Sequence, residues 1–339
     1  MRDEQVVIVG AGPIGLACAL SAKRRGIDPL VIDAGAIANS IVRYPIGMTF
    51  FTTPERLEIG NHPIVCAGPK PTREEAMMYY RGVVRAEGLR VRTWARLEGA
   101  RSTDAGIRCE IRTGSGSERL LSDRIVLATG YFDTPNLLGV PGEELPHVRH
   151  YFDEAHLGYG LDVVVVGGRN SAVEAALQLY RAGARVMLVH RGAEFKPSVK
   201  YWLRPDIENR VRSGEITARM GSDVVAITER TVRVRSAGST EEVPADRVYL
   251  LTGFSPDFAL FERIGIALAP ATRRPAIDPD TLETNVSGIH MAGSVVAGRA
   301  ISEIFIENGR YDGEKIFGDA MARSRAQEMY ARTPRPVGE

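Results

Sequence analysis

The chain has 339 residues, a formal net charge of +1, and 25% charged beside 44% hydrophobic residues. That length suits two domains with cores of their own, and the charge balance excludes a strongly basic nucleic-acid binder or a polybasic membrane binder. No apolar run reaches the ~18 residues of a membrane span, the first strand begins too early to leave a signal peptide, and Cys18, Cys66 and Cys109 make no disulfide framework, so a reducing cytoplasm is the expected setting.

VVIVGAGPIGLACAL, from Val6 to Leu20, is an apolar strand that breaks into glycines and then into an apolar helix. This is the start of a βαβ nucleotide-binding unit. Gly10 permits the tight turn, Gly12 lets the backbone approach a pyrophosphate, and Gly15 allows close packing of helix on strand. Pro13 stiffens the loop and removes one amide donor. The next strand, PLVID, ends on Asp33, whose carboxylate suits two ribose hydroxyls and would repel a 2′-phosphate. The unit is therefore expected to hold FAD or NAD, not NADP. Lys23, Arg24 and Arg25 before Gly26 read as a helix C-terminus. Thr72 with Glu75 reads as a capping box.

RIVLATGYFDTPN (124–136) is an apolar strand closing on Ala128, Thr129 and Gly130. Pro135, Pro141 and Gly142 follow, where the chain is expected to cross into a second domain. His147, His150 and His156 fit no common zinc spacing and read as linker, so no metal is expected. VVVVGGRNSAVEAAL, from Val163 to Leu177, then repeats the opening motif in altered form. Gly167 and Gly168 lead into Arg169, Asn170 and Ser171. The following strand, RVMLV, ends in His190 and Arg191 where an NAD site would carry an acid, and Lys196 and Lys200 come soon after. Loss of the acid and gain of cations is how such a site accepts a 2′-phosphate, so NADPH is expected here, a solvated basic loop being the plainer reading. RVYLLTGFSPD (247–257) repeats the strand-to-glycine shape at Gly253.

Two such motifs predict an α/β fold with two Rossmann-like dinucleotide-binding domains. The two motifs, the two Thr-Gly strands and the late segment TNVSGIHMAGSVVAGRAISEIF (284–305) resemble the two-dinucleotide flavoprotein reductases of the thioredoxin reductase type. That resemblance implies a discontinuous FAD-binding domain, 1–137 with 256–339, and an NADPH-binding domain, 138–255. It implies that Gly293 and Ser294 lie on the flavin chain, with Ser294 where the family usually has Asp. It also implies that Ala300 and Ile301 open a helix directed at the flavin.

A closer resemblance is carried by NSIVRYPIGMTFFTTPERLEIGNHPI (39–64), KPTREEAMMYYR (70–81), GYFDTPNLLGVPGEELPHVRHYFDEAH (130–156) and EIFIENGRYDG (303–313). With the two glycine motifs these blocks are similar to the YpdA-type bacillithiol disulfide reductases. Ser40, Tyr44, Thr49 and Phe51 are then expected near FAD, although core packing for the Phe50-Phe51 pair and a surface loop for Arg43-Tyr44 are open alternatives. The family places a cysteine where this chain has Ile14. Cys18 reads as a small buried hydrophobe, Cys66 lies in a loop-like stretch, and Cys109 alternates within a strand. No thiol pair can be drawn, and the catalytic residues stay unassigned. The resemblance implies hydride transfer from NADPH to FAD and on to a low-molecular-weight disulfide in a homodimer. Other readings are a ferredoxin or flavodoxin NADP reductase, a flavin monooxygenase, and a redox sensor without turnover.

Overall fold

The strand Asp3–Val9 sits at the centre of a sheet because its inner stretch has no polar face: Val6, Val7, Ile8 and Val9 are all buried. In the computed structural model, which describes residues 3–333, it pairs in parallel with Leu30–Ile32 on one side and Gly116–Leu127 on the other. Arg90–Arg92 extends the parallel side. Beyond the long strand the sheet turns antiparallel through Gly106–Thr113 and Arg96–Thr103. The short late strand Ile289–Met291 returns to pair in parallel with the end of Gly116–Leu127. These elements belong to one compact unit, made of 3–42, 47–134 and 255–333.

A second unit comprises 43–46 and 135–254. Its sheet is wholly parallel, in the order Thr217–Met220, Arg185–His190, Asp162–Val166, Arg247–Leu250, Val148–Arg149. An antiparallel sheet of Ser222–Ile227, Thr231–Ser236 and Ser239–Pro244 packs beside it. Buried Val224, Val232, Val234 and Val243 pack there with Val164 and Val248 of the parallel sheet. The fold is α/β, with two Rossmann-like sheets.

The helices follow from local chemistry. Pro13–Lys23 is apolar almost throughout and buried from Gly15 to Ala22, so it is a central helix. It stops at Arg24, with Gly26 at φ +76° taking the left-handed position. Arg73–Ala86 opens on the anticipated capping box, Thr72 accepting from the Glu75 N–H while the Glu75 carboxylate accepts from the Thr72 N–H.

One expected element takes a different form. No α-helix begins at Ala300; a 3₁₀ turn, Ile301–Glu303, gives way to extended backbone at Ile304, and helix resumes only at Ile306–Gly309. Asn308 explains the break, because its side chain accepts the Phe305 N–H at 2.8 Å and donates to the Glu303 carbonyl at 3.0 Å. Those bonds take up the groups that would have continued a helix from 301.

Candidate functional site: two glycine turns

The first turn is assembled by steric necessity. A Cβ on Gly15 would lie 1.9 Å from the Gly10 carbonyl oxygen, and one on Gly10, at φ +115°, would lie 2.3 Å from the Ala128 carbonyl oxygen. Only glycine allows the helix start, the turn and the end of the long strand to close on one another. The register Val9↔Leu127 and the Ala128 N–H to Val9 carbonyl bond of 2.8 Å bring Ala128, Thr129 and Gly130 beside the turn. Gly12 differs: a Cβ there meets nothing within 4 Å, so its backbone faces open space. It is also the N-cap, and no side chain caps the helix. The first-turn N–H groups are thus presented to whatever approaches Gly12, a donor set that fits an anionic pyrophosphate. The Thr129 hydroxyl is buried here with no hydrogen-bond partner among the described residues.

Asp33 stands at the end of its strand. One carboxylate oxygen accepts the Ala11 N–H and the other the Gly35 N–H, each at 2.7 Å. Burial pushes its carboxyl above the ordinary value, while those two N–H groups act against the shift.

The late segment joins the same turn through Ile14. A Cβ on Gly293 or on Gly309 would lie 2.7 Å from the Ile14 Cδ1, so this side chain fills the space both glycines leave. Gly293 also donates its N–H to the buried Asp312 carboxylate at 2.7 Å. Gly309 and Asp312 belong to no glycine motif; their signals are the Asn-Gly and Asp-Gly dipeptides and the place of ENGRYDG in a block that carries the family resemblance. Ser294 is buried beside them, and Ala300 and Ile301 lie at the 3₁₀ turn. Ser40 lies on the short helix Asn39–Val42. Thr49 forms an isolated antiparallel bridge to Thr72, and Phe51 is 42% exposed. Tyr44 is the outlier among the residues expected here, because 43–46 belongs to the second unit, where the Ile46 N–H bonds the Asp153 carbonyl at 3.0 Å.

In the second unit, Gly167 has φ +148°, and a Cβ would press on the Leu251 carbonyl oxygen at 2.6 Å. Gly168 lies flat against the His190 ring, whose atoms would be 2.3–2.4 Å from a Cβ there. The helix Asn170–Arg181 starts without a side-chain cap at Arg169, so its first N–H groups fit a second anionic group. The Asn170 side chain accepts the Lys200 N–H at 2.8 Å and donates to the Ser198 carbonyl at 3.3 Å, which ties the loop carrying Lys196 and Lys200 to the glycine turn. Lys200 lies 4.0 Å from Glu174. Ser171, Arg169, Arg191 and Lys196 are exposed, and among the described residues no carboxylate pairs with the three cations. Burial, then Arg191, then Lys196 hold the His190 imidazole below its ordinary pKa, and its Nε2 is buried without a hydrogen-bond partner among the described residues. Gly253, at φ +93°, accepts the Asn136 N–H at 2.9 Å.

The remaining candidates have structural places. Cys18 and Cys109 are fully buried, and burial raises both thiols, Cys109 to about 12. Cys66 lies in a loop and donates to the Gly68 carbonyl at 3.2 Å. All three thiols are free. His150 is 3.8 Å from Glu143, which itself accepts the Leu138 and Gly139 N–H groups of the linker. Among the described residues no three His, Cys, Asp or Glu side chains cluster as metal ligands, and no helix is long and apolar enough to cross a membrane.

Residues 7–293 match the model of a family described as pyridine nucleotide-disulphide oxidoreductase. The bacilliredoxin reductase Bdr of Bacillus subtilis (strain 168) is 42% identical over 325 residues, covering 95% of this chain and 99% of that protein. The solved bacillithiol disulfide reductase Bdr (YpdA) from Bacillus cereus superposes with a TM-score of 0.90 at 42% identity, over 98% of this chain and 100% of that one. Its counterpart from Staphylococcus aureus gives 0.87 at 34% identity, over the same shares of 98% and 100%. The chain belongs to the pyridine nucleotide-disulphide oxidoreductases and, within them, to the family of the bacilliredoxin and bacillithiol disulfide reductases.

Proposed function

We propose that this chain is a cytoplasmic, homodimeric flavoprotein that takes electrons from NADPH through FAD to a low-molecular-weight disulfide of the bacillithiol type or to a small redox protein carrying one. The observation that carries the reading is the chemical inequality of the two glycine turns. Asp33 closes the first, and its charge disfavours a 2′-phosphate. Among the described residues no carboxylate pairs with Arg169, Arg191 or Lys196 at the second, which favours one.

The first unit would hold FAD: Gly10, Gly12, Pro13 and Gly15 admit the pyrophosphate, Asp33 the ribose, and Ile14, Gly293 and Ser294 bound the far side of the turn. The second would hold NADPH: Gly167, Gly168 and the start of Asn170–Arg181 meet its pyrophosphate, and Arg191 and Lys196 its 2′-phosphate. Bound flavin supplies the two-electron relay by which the disulfide S–S bond breaks and two thiols are released, one electron pair coming from NADPH and one further proton from solvent. The chain's own part is to bind, orient and exclude water. Burial first, then Arg191 and Lys196, hold the His190 imidazole below its ordinary pKa, which leaves the exposed cations as the groups offered to the phosphate.

Position 14 holds an isoleucine, two of the cysteines are buried with raised thiols, and the third is a lone loop residue. Disulfide reduction therefore proceeds without a protein thiolate. The variant with Cys18, Cys66 and Cys109 all replaced by Ala is expected to keep at least half of the disulfide-dependent NADPH oxidation per bound flavin. A fall to background would place a cysteine in the reaction.

The whole reading is tested on the purified holoprotein. It should be yellow, bleach anaerobically with NADPH, and oxidise NADPH faster when bacillithiol disulfide is added. A colourless protein that FAD cannot reconstitute would sink the reading. Stimulation by ferredoxin or flavodoxin alone would replace the acceptor, and absence of bleaching would make the chain a sensor.

A further inference from the structure

Trp94 is out of keeping with its surroundings. It is 66% exposed, yet it is held in the left-handed region at φ +58°, a conformation that a bulky side chain rarely adopts. Three backbone bonds hold it there: Asp33 N–H to Arg92 carbonyl at 3.0 Å, Ala95 N–H to Asp33 carbonyl at 2.7 Å, and Trp94 N–H to Gly35 carbonyl at 3.2 Å. Residues 92–95 are thereby zipped onto 33–35, and the buried Ala95 anchors the far side. The backbone of a residue with a broad, flat, largely apolar ring is thus fixed beside the turn that follows Asp33, with most of the residue open to solvent.

That placement suits one kind of ligand. In a dinucleotide the base hangs directly from the ribose, so a ribose at Asp33 puts a flat heteroaromatic ring within one ring's reach of residue 94. Ring-on-ring contact with an indole is worth roughly tenfold to hundredfold in affinity per base. We propose that Trp94 is the stacking platform for the adenine of the dinucleotide bound in the first unit, and that its left-handed backbone is kept because it aims the indole outward to meet that base. The inference rests on the reading that the first unit binds FAD.

The chain has two tryptophans, Trp94 and Trp202, so in a Trp202→Phe background the emission comes from Trp94 alone. The test titrates flavin-stripped protein with ADP and with FAD. ADP, which carries the adenine but no flavin, is expected to quench Trp94 emission. Trp94→Ala and Trp94→Asn are expected to bind FAD at least tenfold more weakly, and Trp94→Phe within about threefold of the parent. Asn accepts the left-handed backbone without a ring, so it separates loss of the platform from loss of the turn. Unchanged FAD affinity in Trp94→Asn, or an ADP complex with unaltered Trp94 emission, overturns the proposal while leaving the FAD reading intact. A parent protein that binds neither ligand overturns both. If Trp94→Ala fails to fold, the parent's ADP response and the Trp94→Asn affinity still decide.

Discussion

Replacing Arg191 with Ala is expected to weaken NADPH binding by roughly tenfold to hundredfold and to leave NADH within about threefold. The two nucleotides differ only in the 2′-phosphate, so the ratio of their affinities isolates what the guanidinium does. Arg191 follows the strand Arg185–His190, is exposed, and has no carboxylate partner among the described residues, so nothing in the protein competes with a phosphate for it. Its charge is also the larger of the two that hold His190 below the ordinary imidazole value. In the variant the His190 pKa is therefore expected to rise toward that value. The sign matters for stability. A depressed pKa means the folded state resists the proton, so this contribution is present above the unfolded value near 6.5 and is lost as pH falls. Arg191→Ala should accordingly lose less stability than the parent on going from pH 7.5 to 5.5. Isothermal titration with each nucleotide and thermal melts at the two pH values test this, and an equal loss of NADPH and NADH would remove Arg191 from the phosphate site.

How far the sequence carried depended on whether the chemistry was local. The glycine turns, the two buried strands at Val6 and Val163, the Thr72 capping box and the fully buried Cys18 are each dictated by a few neighbouring residues, and all are legible without coordinates. The break at Ile304 is not, because a polar side chain such as Asn308 that caps a resumed helix cannot be told from one within a continuous helix by periodicity alone. The antiparallel strand Arg96–Thr103 is harder to read, because its alternation is broken by a register shift between Leu97 and Gly99, whereas its partner Gly106–Thr113 alternates regularly. Ile14 shows the limit best. In sequence it is the residue standing where the family puts a cysteine, but its role in filling the spaces left by Gly293 and Gly309 joins residues that lie almost at opposite ends of the chain. Trp94 gave no sequence signal at all, since its interest lies in a backbone angle.

Asp312→Asn is expected to stabilise the protein by about 3 kcal/mol at pH 7.5 and to change little at pH 3.5. Asp312 is 3% exposed, and burial pushes its carboxyl from 3.8 to about 6, against the smaller opposing pulls of the Gly293 N–H and of Lys315. A folded pKa above the unfolded one means that the folded state holds the proton more tightly. The contribution is therefore fully present below about 3.8 and is lost as pH rises through about 6. At neutral pH the ionised carboxylate is a net cost. Asparagine offers the same carbonyl acceptor to Gly293 without the charge, so the cost disappears while the 2.7 Å bond is kept. Denaturant midpoints for parent and variant from pH 3.5 to 8 check the shape: the parent should lose stability between pH 4 and 6 and the variant should not. Equal stability at pH 7.5 would mean that the carboxylate is not desolvated as its burial requires. Because Gly293 sits against Ile14 at the first glycine turn, a charge kept there at the expense of stability points to the turn and not to the core as the reason for it. The same variant should then release FAD more readily on gel filtration, since the neutral amide holds the Gly293 N–H less firmly than the carboxylate does.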